Sequence, residues 1–194
     1  MIKPTRCPAP AIRTALILML TAQAALPVVA VAAENPLLTE STLPFRYPRF
    51  DLIKDAHFPP AFEQGMAEHL REVAAIADNP AKPTFDNTVV ALERAGRLLG
   101  RVNTTFSNLT GTLTNPELQK IQRSIAPQLS AHNDAVRLNP ALFARLSALY
   151  DARSTLGLDA ESQRLLWRYY QDFVRAGAKL AEPRSEERRV GKEC

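Results

Sequence analysis

Apolar side chains recur at helical spacing along most of this chain. Phe62, Met66, Leu70, Val73 and Ala77 follow at steps of four and three, which puts them on one helix face. Pro59 and Pro60 suit the first turn of that helix, where a missing N–H costs nothing, and Asn79-Pro80 ends it. A second stripe, Val89, Leu92, Leu99, Val102, Phe106 and Leu109, follows Thr84. The Thr84 hydroxyl can cap the first turn, and Asp86 adds negative charge at the positive helix end. The stripe predicts one continuous helix that contains Gly96 and Gly100, four residues apart. Close approach of a neighbouring helix and simple tolerance of glycine both account for the pair. The third helix opens at Thr114-Asn115-Pro116-Glu117, with Thr and Glu at capping-box spacing, and continues through Leu118, Ile121, Ile125 and Leu129 to Val136. Pro127 should kink or split it. The fourth opens at Asn139-Pro140, buries Leu142, Leu146, Leu149 and Tyr150, and is over by Gly157. The fifth is capped by Asp159. Leu165, Leu166, Tyr169, Tyr170, Phe173 and Val174 form its apolar side, Trp167 adds to its lateral surface, and Gly177 lies near its end.

No period-two strand pattern interrupts this series. The expected fold class is therefore all-α, about five amphipathic helices, with connections short enough for successive helices to pack antiparallel. Residues 34–57 differ. Pro36, Pro44 and Pro48 alternate with Phe45, Tyr47 and Phe50. Proline holds its own φ and pushes the preceding residue to extended geometry, so this stretch predicts an extended arm that lays its aromatics on the helical body.

The ends change the charge picture. Lys3, Arg6 and Arg13 precede any acid, and an apolar run follows from Ala15 through Leu16-Ile17-Leu18-Met19-Leu20 to Ala33. Small residues at Ala30 and Ala32, or Val31 and Ala33, suit cleavage, so residues 1–33 are expected to be a secretory signal and the product periplasmic. Gln23 and Pro27 interrupt the run, which argues against a retained membrane span. Cys7 precedes the run, the wrong side for a lipoprotein signal. Residues 184–194, Arg-Ser-Glu-Glu-Arg-Arg-Val-Gly-Lys-Glu-Cys, have no apolar period and match an in-frame translation of a common sequencing-library adapter. They are expected to be a scar rather than part of the fold.

The whole chain of 194 residues carries 24 Lys+Arg against 20 Asp+Glu. The leader holds three of those bases, and the tail holds four bases and three acids, so residues 34–183 balance at 17 of each. The basic excess thus gives no reason to expect a nucleic-acid or membrane partner for the body. Both cysteines, Cys7 and Cys194, lie in the ends. A disulfide, a thiolate metal site or a cysteine nucleophile is excluded within 34–183.

Candidate chemistry is sparse. His57, His69 and His132 are the only histidines, none has another His three or four residues on, and each is expected to be structural or on the surface. There is no Gly-x-Ser-x-Gly elbow and no phosphate-cradling glycine loop. Glu68 and Glu72, with Arg71 beside them, form an i,i+4 carboxylate pair. A general acid/base pair is conceivable there, but a solvated helix face is the expectation. Arg94, Arg97 and Arg101 make a basic edge with Glu93 and Glu117 as candidate partners. Asn103-Thr104-Thr105 and Asn108-Leu109-Thr110 match the glycosylation acceptor pattern but fall on a predicted helix, so no modification is assigned. The residues alone assign no catalytic, cofactor-binding or metal position.

Several blocks carry a resemblance. Asn35-Pro36-Leu37-Leu38, Phe50-Asp51-Leu52-Ile53-Lys54 and Pro59-Pro60-Ala61-Phe62-Glu63-Gln64-Gly65-Met66 open it. Pro83-Thr84-Phe85-Asp86-Asn87-Thr88 with Val90-Ala91-Leu92-Glu93 and Thr114-Asn115-Pro116-Glu117-Leu118-Gln119-Lys120-Ile121 continue it. Leu158-Asp159, Glu161-Ser162 and Arg164-Leu165-Leu166 complete it. Together they resemble the start of bacterial peptidyl-dipeptidases, in the thimet oligopeptidase family of zinc metallopeptidases, and the likeness covers essentially all of 34–183.

The resemblance implies a much longer all-α enzyme with two helical lobes around a peptide channel, of which residues 58–183 would begin one lobe. It also implies zinc on a His-Glu-x-x-His helix with a distant Glu ligand, and release of C-terminal dipeptides from short peptides. None of those motif residues matches a position here, so no site residue carries over. The expectation is an inactive, metal-free N-terminal fragment of an exported peptidase, whose partner would be the missing C-terminal part of the same chain. A stand-alone periplasmic helical binding or chaperone-like module is the alternative, and a helical regulator of a partner protease the third.

Overall fold

The computed structural model describes residues 35–180. The expected leader and the adapter-like tail lie outside the described residues. Within them the fold is all-α, and the described residues contain no strand. The order is α1 (Phe58–Ala77), a π-helical entry (Phe85–Val90) running into the short α2 (Ala91–Arg94), α3 (Arg97–Thr112), α4 (Pro116–Arg137), α5 (Pro140–Asp151) and α6 (Ala160–Ala176). Five of these helices are 12 residues or longer. Among the described residues no helix is long and apolar enough to cross a membrane.

The helix starts follow local side-chain chemistry. Thr84 accepts from the Asn87 N–H at 3.1 Å while Asn87 Oδ1 accepts from the Thr84 N–H at 2.8 Å, a reciprocal capping box. Asn139 caps α5 through the Leu142 N–H at 2.9 Å, and Asp159 caps α6 through the Ser162 N–H at 2.7 Å. Backbone donors at that cap stabilise the ionised form and hold the Asp159 carboxyl below its ordinary range. The expected Thr114 cap of α4 is not formed. Asn115 takes the position, accepting from the Leu118 N–H at 2.7 Å and donating its own amide to Asp55 at 2.8 Å. Asn wins because its carbonyl satisfies the turn while its NH2 ties the helix start to the arm. Pro127 does not split α4. It sits on the exposed face, where water can serve the carbonyl it leaves unbonded.

α1 is the hub. α3, α4 and α5 all pack against it, and α5 packs against α6. The antiparallel pairing expected of successive helices therefore applies poorly to α3 and α4, which meet α1 more than each other. Two apolar clusters result. The first joins Leu37, Phe58, Phe62, Val102, Phe106 and Ile121 with their neighbours, and Phe106 meets Phe58 and Phe62 edge to face. The second joins Val73, Val89, Leu142, Leu146, Leu166 and Phe173.

The predicted face of α1 is inward except at Leu70: Phe62 and Val73 are buried, and Met66 and Ala77 pack against the two apolar clusters. Phe58, Ala61, Phe62, Gly65, Val73 and Ile76 are buried, whereas Leu70 is exposed. Between Phe62 and Val73, Met66 shares the inward side with Gly65, His69 and Glu72. Periodicity cannot see a polar stretch of a core, so it assigned Leu70 an inward place that it does not take.

The second helix is also corrected. The chain breaks at Ala95-Gly96, where Ala95 is extended and Gly96 has φ +70°, so α2 and α3 are separate. Gly96 is not a tolerated mid-helix glycine but a left-handed turn residue. Leu98 takes the buried place expected of Leu99, which is only partly buried. Close helix approach does occur, at a glycine the stripe did not single out. A Cβ on Gly65 would lie 3.0 Å from the Leu99 Cα, so Gly65 sets how near α1 and α3 come.

The arm is corrected as well. It is not anchored by its aromatics. Phe45 is fully exposed and Tyr47 and Phe50 are exposed, while Leu37 is buried. Arg101 on α3 holds the arm by donating to the Leu37 carbonyl at 3.2 Å and the Leu38 carbonyl at 3.1 Å. Asn35 adds a bond to the His57 carbonyl at 2.7 Å.

Candidate functional site

Three of the titratable groups singled out in the sequence, His69, Glu72 and His132, come together in one place. His69 projects from α1 and His132 from α4, and His69 Nδ1 lies 2.9 Å from His132 Nε2. Three residues along α1, Glu72 accepts the Gly96 N–H at 2.6 Å. The His69 ring also backs Gly96, where an added Cβ would fall 3.0 Å from its Cγ. These groups form a polar layer at the stretch of α1 between the two apolar clusters.

His69 and His132 are paired with each other, which spacing along the chain could not show. A neutral pair of imidazoles makes one N–H···N bond. His132 is buried and its Nδ1 has no partner among the described residues. A bare lone pair there costs less than an unpaired N–H. That places the proton on His132 Nε2, donating to His69 Nδ1. Burial lowers the His69 pKa, with Glu72 pulling weakly the other way, and burial lowers that of His132, with His69 adding to the effect. Both rings are therefore held neutral.

Glu72 is not part of a solvated face: it holds the turn into α3. The basic edge divides too. Arg101 is spent on the arm, whereas Arg94 and Arg97 are exposed. Their candidate partners are occupied elsewhere. Glu93 accepts from the Tyr169 hydroxyl at 2.8 Å, and Glu117 lies 3.9 Å from Lys120. Burial and Glu93 together raise the Tyr169 pKa. His57 accepts the Lys54 N–H at 3.1 Å within its own turn. In the Asn103 acceptor pattern Thr105 is buried and donates to the Arg101 carbonyl at 2.9 Å, so helical hydrogen bonding holds that site.

One buried charge had no signal in the sequence. Arg145 on α5 is 7% exposed and donates to the carbonyls of Asn79 and Ala81 at 2.7 and 3.1 Å and to Asn87 Oδ1 at 2.9 Å. It clamps the loop that carries the chain from α1 into the π-helical entry. An i,i+3 or i,i+4 reading of α5 shows only a lone Arg at an inward position among Leu142, Leu146 and Leu149.

The second feature is an open groove of about 610 Å³ between the arm and the C-terminal half of α3. Tyr47, Phe50, Ile53 and Leu113 supply its apolar wall, and Asp55, Thr104 and Asn108 its polar side. The polar layer spends its groups on one another, and the groove holds no histidine. Among the described residues no group of three His, Cys, Asp or Glu is placed to hold a metal ion.

No protein-family model matches the chain. Individual proteins do. The chain is 48% identical over 148 residues to a dipeptidyl carboxypeptidase of Salmonella typhimurium and 47% identical over 148 residues to a dipeptidyl carboxypeptidase of Escherichia coli. Each match takes in 76% of this chain. It is 26% identical over 157 residues, 81% of this chain, to oligopeptidase A of Escherichia coli. In all three cases the chain spans only 22% of the relative's length.

Proposed function

We propose that this chain, homologous over most of its length to one part of the dipeptidyl carboxypeptidases, is a non-catalytic helical portion of an exported zinc metallopeptidase. The whole enzyme would release dipeptides from the C-terminal end of short peptides. The observation that carries this reading is the identity of 48% over 148 residues to a relative so named. The charged, apolar and small-residue order of residues 1–33 supports the export part.

A catalytic zinc centre uses three protein ligands and keeps a fourth position open. The described residues do not fit it. The two closest imidazoles face each other at 2.9 Å, Glu72 holds the Gly96 N–H, and no third ligand converges on them. No step of peptide hydrolysis is therefore assigned to these residues. Their contribution is a scaffold: α1 ties two apolar clusters together, and Arg101 and Asn115 fasten the arm to that body.

Sequencing the locus from genomic DNA through and beyond the codon for Pro183 tests the reading. The expected frame continues and encodes a His-Glu-x-x-His helix. A frame closed at Cys194 would overturn it. The purified 194-residue chain is expected to leave peptides intact, and chelator-sensitive hydrolysis by that chain would refute its non-catalytic assignment. A stand-alone helical binding module is the second reading, favoured by the two buried clusters these helices close among themselves.

A further inference from the structure

The apolar side chains this chain leaves in solvent are not scattered. Of the eight large ones exposed among the described residues, Leu43, Phe45, Tyr47, Phe50 and Leu52 lie on the arm and Leu113 lies at the end of α3. Tyr47, Phe50 and Leu113 also line the 610 Å³ groove, so the arm and the α3 terminus share one surface. Tyr47 and Phe50 meet edge to face at 5.7 Å, which stiffens it.

The backbone pushes this surface outward. Phe45 and Arg46 have φ +57° and +56°, two successive non-glycine residues in the left-handed region. A bulky residue adopts that conformation at a cost that something must offset. The turn closes with the Arg46 N–H on the Leu43 carbonyl at 2.9 Å, but among the described residues the Phe45 side chain adds no burial, because it ends wholly in solvent.

Two charged pairs close within the arm itself. Arg49 grips both Asp51 oxygens at 2.9 and 2.7 Å, and Arg46 reaches Glu40 at 3.3 Å. The aromatics beside these pairs stay uncovered, and aromatic side chains are the type enriched in an interface core.

We propose that this aromatic face is where the remainder of the same enzyme packs onto this portion. The inference rests on reading the chain as one portion of a longer peptidase. Its occupant follows from length: the match accounts for 22% of each relative, so nearly four-fifths of each lies outside it and must contact the matched part somewhere. The aromatic face is the largest grouping of exposed apolar side chains the described residues offer. Covering Phe45 and Leu113 would offset the left-handed turn that presents the former.

The test co-expresses the full 194-residue chain with a tagged polypeptide comprising the part of the Salmonella typhimurium dipeptidyl carboxypeptidase that lies outside the match. A stoichiometric complex is expected, and Phe45→Ala with Leu113→Ala should weaken it at least ten-fold. Both side chains are exposed, so the variant should melt as the parent chain does. Leu70→Ala, exposed on α1, should leave the affinity unchanged. Absence of a complex, or one insensitive to the double substitution, overturns the proposal. So does a homodimer of the chain that the double substitution dissociates, because a second copy then covers the face. Chelator-sensitive release of dipeptides by the complex is read separately. A complex that binds through this face without hydrolysis keeps the face and removes the peptidase reading. A hydrolytic complex indifferent to the substitutions does the reverse.

Discussion

His69 and His132 illustrate how a residue's role depends on what another helix brings to it. Each alone is a histidine without ligand spacing. Together, 2.9 Å apart, they share one N–H···N bond, and burial disfavours adding a further proton to either ring. Both pKa values are lowered by burial, so the unfolded chain binds more protons than the folded one below the ordinary histidine value of about 6.5. The neutral pair's stability contribution is thus fully present above that value and is lost as pH falls from there through the lowered folded-state values. Urea unfolding from pH 8 to 5 should show stability falling on the acid side. The double substitution His69→Leu with His132→Leu should flatten that slope. An unchanged slope would mean that other groups carry it.

At the scale of the element, the break between α2 and α3 is the clearest case of tertiary structure overriding a stripe. Glu72 accepts the Gly96 N–H at 2.6 Å, the His69 ring closes the space behind it, and φ at Gly96 is +70°. Gly96→Ala must strain the left-handed backbone and meet the ring, and is expected to cost about 2–3 kcal/mol. Gly100 has nothing within 4 Å of an added Cβ, so Gly100→Ala should stabilise the chain by roughly 0.5–1 kcal/mol through helix propensity. Denaturant midpoints of the two variants should move in opposite directions, although the sequence offers the same two readings for both glycines. The caps at Thr84, Asn139 and Asp159 were legible because capping is a local exchange between a side chain and its own next turn. The displaced cap at Asn115 was not, because its second bond reaches Asp55, 60 residues away.

For the molecule as a whole, the question is whether the two apolar clusters behave as one body. α1 belongs to both, with Phe62 in one and Val73 in the other, and the polar layer joins them. Leu142→Ala removes a fully buried side chain from the second cluster and should cost about 3 kcal/mol. If α1 couples the clusters, the loss shows as one transition. Trp167 fluorescence on α6 and far-ultraviolet circular dichroism should then give the same midpoint. Separate midpoints would show that α1 does not transmit the change.

The helix count, most boundaries and the all-α class were set by the sequence alone, because apolar period, proline position and caps act within a few residues. The absence of a cysteine between residues 34 and 183 and its balanced charge were equally plain. Tertiary structure decided what those local signals leave open. It left Leu70 of α1 exposed and set His69 and Glu72 inward, and it cut the second helix at Gly96. It left the aromatics of the arm exposed while burying Leu37. It also placed Arg145 among backbone carbonyls contributed by residues 64 and 66 positions away. The reason is the same in each case. A polar group buried by one helix is satisfied only by a partner from another, and periodicity along a single helix carries no record of that partner.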